Sequence, residues 1–309
     1  MVNSIQSKYI KSNGGFYIDP NWVTGFSDAE SSFVLSVYAS ENRRSGWRVT
    51  AEFKITLHSR DVFVLDKIQA FFGVGNINSY KDSVNYKVRK LDDICNVIIP
   101  HFTNFPLLTQ KRADFELFKQ GVLYYKNKES LSLDDIKYLS SLKASIGRGL
   151  SGKLLELFPN IKPVDRPLIS NNEKLNPNWV SGFTAGEGCF LVKATKIESG
   201  LKTRIQLEFK LTQHYRDRDL MIRLIEFFNC GSVITNKNAV DYHTAKFSDI
   251  IEKIIPFFKE YPIIGVKYLD FLCFVEVANL MNNKEHLTNK GLGKILAVKA
   301  GMNKGRYLD

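Results

Sequence analysis

The sequence predicts an α+β protein of two pseudo-symmetric αββαββα units, each an antiparallel four-stranded sheet with helices on one face. Three observations predict it. The two halves repeat each other over a domain-sized length. Within each half the hydrophobic period alternates between helical and strand spacing. Between the halves, roughly from Leu150 to Lys174, runs a proline-bearing polar connection with Pro159, Pro163 and Pro167.

The repeat is explicit. DPNWVTGFSDAESSF, Asp19 to Phe33, aligns with NPNWVSGFTAGEGCF, Asn176 to Phe190, with eight of fifteen positions identical at an offset of 157. The register then continues at 156: AEFKITLHSRD with LEFKLTQHYRD, VNYKVRKLDDI with VDYHTAKFSDI, and IIPHFTNFPLL with IIPFFKEYPII. Such a unit is too long for a solenoid repeat of about 20–50 residues, so it is a domain. The division is 1–150 for the first unit, 151–175 for a linker draped between the halves, and 176–309 for the second.

Each unit opens with an N-cap followed by a first-turn proline, Asp19-Pro20 and Asn176-Pro177, which predicts a helix reaching Glu30 or Glu187. Gly188 is expected to stop the second helix in a left-handed conformation, with Ser31 in its place in the first. Alternation follows. Val49, Ala51, Phe53, Ile55 and Leu57 lie on one face, against Arg48, Thr50, Glu52, Lys54 and Thr56 on the other. The second copy alternates in the same way from Arg204 to Thr212. A helix from Asp61 (Asp217) to Phe72 (Phe228), a second hairpin near Gly75 to Lys90 (Gly231 to Lys246) and further helices complete the unit. Phe71, Phe72, Phe227 and Phe228 are expected in the core. His58 and His214, each three residues before an aspartate, are expected to be local capping groups at the strand-to-helix turn.

Forty-three Lys and Arg against 32 Asp and Glu leave a net charge of +11, which favours a polyanionic partner, although a merely basic surface would show the same balance. No apolar run reaches the roughly 18–20 residues of a membrane span. The polar start MVNSIQSKYIKSNGG has no signal-peptide core and argues against export. Cys95, Cys189, Cys230 and Cys273 show no metal-finger spacing and read as free thiols. The abundance of Lys, Asn and Ile fits an AT-rich coding genome, as in organelles.

The leading helices carry the chemistry. Gly25 with Ala29, and Gly182 with Gly186, are small residues four apart on one helix face, a pattern that lets two helix backbones touch. Contact there brings Glu30 and Glu187 together at two helix C-termini, where like charge and the helix dipole both penalise them. Divalent cations relieve that penalty, and carboxylate and carbonyl oxygens suit magnesium. Two ordinary helix-end acids are the plain alternative. Asp28, opposite Ala185, receives no paired role.

VTGFSDAES and VSGFTAGEG resemble the signature of the LAGLIDADG homing endonucleases, and the chain resembles their single-chain, two-repeat members encoded in fungal mitochondrial introns. The resemblance spans about Asp19 to Arg306. It implies that the paired helices form the interface between halves and that Glu30 and Glu187 bind catalytic metals with the carbonyls of Ala29 and Gly186. The sheets would form a saddle over DNA, and cutting across the minor groove would leave a staggered break with 3′ overhangs. Mg2+ is the expected metal, with Mn2+ as a substitute and Ca2+ binding without cutting. Gln213 matches a water-positioning residue, although its counterpart is Leu57. Lys111 and Lys267 match the basic residues near the metals, with solvated helix-start lysines as the alternative. Mitochondrial origin follows from the same resemblance.

The open sheet face is expected to contact the major groove over about two helical turns of duplex. The first unit would offer Ser32, Ser36, Tyr38, Arg43, Arg44, Arg48, Thr50, Lys54, Asn76, Asn78, Tyr80, Lys87 and Arg89. The second would offer Lys193, Thr195, Lys196, Lys202, Arg204, Gln206, Lys210, Asn236 and His243. Since the halves differ on this face, the target is non-palindromic. The chain is expected to act as a monomer, away from membranes. An RNA-binding maturase for the host intron and a plain DNA-binding module are the competing readings.

Overall fold

The computed structural model describes residues 18–41, 46–170, 174–196 and 203–303. Each half carries a four-stranded antiparallel sheet with helices against one face. In the first, α1 (Pro20–Glu30) leads into β1 (Ser31–Ala39) and β2 (Trp47–His58). Then come α2 (Val62–Phe72), β3 (Asn76–Tyr80) and β4 (Ser83–Val88). The helical run α3 follows as Leu91–Asp93, Ile94–Ile98 and Ile99–Asn104, with α4 (Lys111–Lys126) and α5 (Leu133–Ala144) after it. The second half repeats this with α7 (Pro177–Glu187), β5 (Gly188–Lys196), β6 (Thr203–His214), α8 (Arg218–Phe228), β7 (Ser232–Asn236) and β8 (Ala239–Thr244). The run α9 there is Phe247–Asp249, Ile250–Ile254 and Ile255–Glu260, ahead of α10 (Lys267–Asn282) and α11 (Asn289–Ala300). The sheet orders are β1-β2-β4-β3 and β5-β6-β8-β7. The long helices after α3 and α9 are the elements the periodicity resolved least.

Local chemistry accounts for the boundaries. Asp19 caps α1 by accepting from Asn21 N at 2.8 Å, and Asn176 caps α7 by accepting from Asn178 N at 2.8 Å, each ahead of a first-turn proline. In α3 and α9 the middle segment widens into a π-turn just before Pro100 and Pro256. A proline cannot donate to the carbonyl four residues back and its ring crowds that carbonyl, so the helix opens there. His58 and His214 do cap, through Nδ1, which accepts from the amides of Arg60 and Arg216.

The left-handed stop expected at Gly188 does not form. Its φ and ψ are −75° and 151°, and those of Ser31 are −89° and 165°, so both chains pass straight from helix into strand. The glycine answers to space. A β-carbon at 188 would stand 2.4 Å from the Thr184 methyl, whereas the first half has Ser27 there and lets the Ser31 hydroxyl donate to Ser27 O at 2.7 Å. The connection between halves also differs from a loose drape. It contains a short helix, α6 (Gly152–Leu157), whose Leu154 is buried in the first core together with flanking Phe158 and Val164. Arg166 then ties it to Asp114 at 2.6 Å.

Each sheet centres on one phenylalanine. Phe33 packs against Phe53, Phe102, Phe115 and Phe118, and Phe190 against Phe209, Phe258, Phe271 and Phe274. Phe72 and Phe228 are buried, while Phe71 and Phe227 pack at the core edge. The two cores meet where α1 and α7 cross in backbone contact. A β-carbon at Gly25 would lie 2.1 Å from Trp179 O, one at Gly182 would lie 2.1 Å from Trp22 O, and one at Gly186 would lie 2.3 Å from Ala29 Cβ. No helix among the described residues is long and apolar enough to cross a membrane.

His101 shows one departure from symmetry in the core. It is wedged among Phe71, Phe72, Phe102 and Phe105, where the second half has Phe257 in its place. The Thr24 hydroxyl donates to Phe105 O at 3.1 Å, so its oxygen is left to accept from His101 Nε2–H at 3.1 Å. Burial pushes the imidazole pKa down from 6.5 to about 4.

Two measurements test this packing. Gly182→Ala should drive a methyl into a carbonyl of the other half and cost about 1–3 kcal/mol or more, read as a lower unfolding midpoint. A midpoint equal to that of the unaltered protein would contradict the contact. The neutral folded His101 contributes its full stability above its unfolded pKa of 6.5. The unfolded chain protonates first as pH falls, so stability declines between 6.5 and about 4, by up to about 3 kcal/mol. His101→Phe should flatten that part of the stability–pH curve, and parallel curves would count against the assignment.

Candidate functional site

The crossing of α1 and α7 sets Glu30 and Glu187 at adjoining helix ends. Through Gly186 the approach is close enough that a β-carbon there would be 3.1 Å from Glu30 Oε1. Burial raises both carboxyl pKa values. Asp61 adds to the effect at Glu30 and Glu30 itself adds to it at Glu187, while Lys111 and Lys267 oppose it at both. The two acids therefore share one partly desolvated space.

Lys111 and Lys267 begin α4 and α10, and both are half-buried rather than freely solvated. Burial lowers each ammonium pKa, and the nearby carboxylates hold it up. Lys111 Nζ donates to Ser27 O at 3.0 Å and Ala29 O at 3.2 Å, and Lys267 Nζ donates to Thr184 O at 3.2 Å and to Gly186 O. The carbonyls of each helix end thus already attract a cation. Gln213 hydrogen-bonds Glu187, and its Oε1 accepts from His214 N at 2.8 Å. Its counterpart Leu57 lines a cleft of about 450 Å³ together with Glu30, Gly186, Gly265 and Lys267.

These residues fit a hard divalent cation. The donors are all oxygen, and two carboxylates flanked by carbonyl oxygens supply the negative charge that such an ion requires. No cluster of three His, Cys, Asp or Glu side chains occurs among the described residues, so backbone carbonyls, water or a bound phosphate would complete the coordination.

The two halves brace each other around this site. Asp217 accepts from Gln110 N at 2.6 Å, at the start of α4, and Asp61 accepts from Val266 N at 2.9 Å, at the start of α10. These aspartates do not cap their own helices. Asp28, given no role from the sequence, is a buried acceptor for Leu108 N, Thr109 and Trp179 Nε1. Its contacts lie 80 and 151 residues away, out of reach of local pattern. The only hint was its polarity in an otherwise apolar helix face.

The register places most of the expected contact residues on one open sheet face. Ser32, Lys54, Lys87 and Asn76 form one row across the four strands of the first sheet. Ser36 pairs with Thr50, Tyr38 with Arg48, and Asn78 and Tyr80 share that face. Arg89 follows β4 and bonds Glu52. In the second sheet Lys210 and His243 are neighbours, Lys193 faces Gln206 and Thr195 faces Arg204, with Asn236 on the same side. Lys196 departs from the expectation. It falls on the alternate, core-side parity, and is exposed because β5 there runs past the end of the core. Arg43, Arg44 and Lys202 lie outside the described residues. Acids are interleaved on this face: Glu52 holds Arg89, Glu208 holds Lys193, and Asp241 holds Lys210 at 2.7 Å.

Comparison with known proteins places this architecture. The family model described as LAGLIDADG endonuclease matches residues 23–122 and 180–278. Two probable intron-encoded endonucleases of Neurospora crassa are 37% and 39% identical over 297 residues, covering 94% and 91% of this chain. The chain spans 55% and 64% of the length of these two relatives. Among solved structures, the I-SmaMI LAGLIDADG homing endonuclease bound to cleaved DNA superposes with a TM-score of 0.91 at 39% identity, covering 94% of this chain and 99% of that one. I-GzeII in complex with its DNA target gives 0.88 at 39% identity, covering 94% and 100%. The chain belongs to the LAGLIDADG endonuclease family.

Proposed function

We propose that this family member is a site-specific homing endonuclease that hydrolyses both strands of a long, non-palindromic DNA duplex and leaves 3′ overhangs. The observation that carries the reading is the meeting of Glu30 and Glu187 at the α1–α7 crossing, with a half-buried lysine behind each. Its partner is double-stranded DNA of about two helical turns, one turn per sheet. One chain supplies both halves, so a monomer suffices. Relatives that include a protein in an ND4 intron of Podospora anserina support a mitochondrial, intron-encoded origin.

Glu30 and Glu187, with the carbonyls of Ala29 and Gly186, would hold Mg2+, for which Mn2+ would substitute. A structural neighbour, I-SmaMI, binds uncleaved DNA in the presence of calcium ions, and calcium is the ion for binding without cutting here too. Bound divalent metal supplies an activated water and charge neutralisation at the leaving oxygen. The protein's own contribution is placement. The glutamates are fixed by helix ends that cannot slide past the Gly25 and Gly182 contacts. Lys111 and Lys267 hold positive charge where a pentacoordinate phosphate would gain negative charge, a preorganised stabilisation that needs no solvent rearrangement. Gln213, oriented by His214 N and bonded to Glu187, would orient the water on one side only. Leu57 cannot do this on the other.

On the sheets, Lys54 beside Lys87, with Ser32 and Asn76 flanking, presents positive charge and hydrogen-bonding groups in one row. Such a row can both grip phosphates and read base edges.

A plasmid library carrying randomised inserts, incubated with the protein and Mg2+, should yield one long cleaved site. Glu187→Gln should reduce cutting of that site by at least about a thousandfold while calcium-supported binding persists. Normal cutting by that variant, or tighter binding to intron RNA than to any duplex, would overturn the reading.

A further inference from the structure

Two carboxylate braces serve the halves equally, Asp217 on Gln110 N and Asp61 on Val266 N. A third serves only one. Asp28, 1% exposed, accepts from Leu108 N at 2.8 Å, Thr109 N at 3.1 Å, the Thr109 hydroxyl at 2.6 Å and Trp179 Nε1 at 2.8 Å. All four are donors, which suits an ionised carboxylate with both oxygens satisfied. The segment it grips runs directly into Lys111, and Trp179 belongs to the opposite half.

At the matching place in the second half, Ala185 and Gly265 stand where Asp28 and Thr109 stand in the first. Trp22, the counterpart of Trp179, keeps its ring in the interface, but its buried Nε1 has no hydrogen-bond partner among the described residues. The cleft of about 450 Å³ opens there, beside Ala185, Gly265 and Lys267. The lysine positions are thus matched in sequence and unequal in support.

We infer that Asp28 is a positioning residue that presets Lys111 from both halves at once, leaving Lys267 without an equivalent and the two cutting centres inequivalent. The inference rests on the nuclease reading above. Its consequence is that the two strands depend differently on the hub. Scission of the strand that relies on Lys111 should respond to loss of Asp28, and scission of the other should respond little.

The test is single-turnover cleavage of a target recovered from the randomised plasmid library, with the two strands labelled separately. Asp28→Asn keeps the shape but turns an amide N–H toward groups that are themselves donors. It should slow one strand by about tenfold or more relative to the other, in line with the sensitivity of such centres to small displacements. Trp179→Phe, which removes one donor to Asp28 and touches nothing at Lys111, should shift the strand ratio the same way by a smaller factor. Thr109→Val, which removes a second donor together with the hydroxyl that accepts from Lys111 N at 3.2 Å, should shift it at least as far. Trp22→Phe, which removes an N–H with no partner among the described residues, should leave the ratio unchanged. These three variants decide the matter if Asp28→Asn does not fold. Equal slowing of both strands, or an unchanged ratio in Trp179→Phe and Thr109→Val, would overturn the inference. A ratio shifted as far by Trp22→Phe would also overturn it, since general interface packing would then be the cause. If the unaltered protein cuts no duplex, the nuclease reading itself falls and this inference with it.

Discussion

The structure depends on one contact, the passage of α1 over α7 with no side chain between the backbones at Gly25 and Gly182. Stacked Trp22–Phe26 and Trp179–Phe183 pairs belong to the same two helices, so close approach and apolar burial reinforce each other there. Packed interiors tolerate little extra volume, and this crossing therefore sets a fixed distance. Each half contains its own sheet and its own phenylalanine cluster, and the crossing turns two αββαββα units into one site.

That crossing creates an electrostatic problem as well. Two helix C-termini and two glutamates converge in a partly dry space, and the ammonium groups of Lys111 and Lys267 already lean on the helix-end carbonyls. A carboxylate pair in such surroundings favours whatever positive charge can reach it. The cross-half bonds of Asp61 and Asp217 then determine where those lysines stand, so the placement of each charge in one half is held by the other.

Much of this was legible in the sequence because it is periodic or repeated. The Asp19-Pro20 and Asn176-Pro177 starts, the alternation through β2 and β6, and the small residues at 25, 29, 182 and 186 are local signals, and duplication removes the ambiguity of each. What escaped is what local pattern cannot encode. Asp28 acquires its partners only when the chain folds back from Leu108 and across to Trp179. The Gly188 stop was misread because glycine signals both positive φ and close packing, and here the Thr184 methyl decides for packing. Lys196 is adjacent to Thr195 and so breaks the alternation of Lys193 and Thr195, which puts it on the core-side parity at the end of β5. The short helix Gly152–Leu157 in the connection was hidden by the prolines around it.

The acids interleaved on the open sheet face have a consequence for anyone wishing to redirect this protein. Arg89, Lys193 and Lys210 each rest on a neighbouring carboxylate, Glu52, Glu208 and Asp241. Exchanging one of these cations for an apolar or acidic residue would strand its carboxylate, unpaired, on the face proposed to meet DNA phosphates. The units of redesign on these sheets are therefore couples of side chains, and a change to either member means choosing both together.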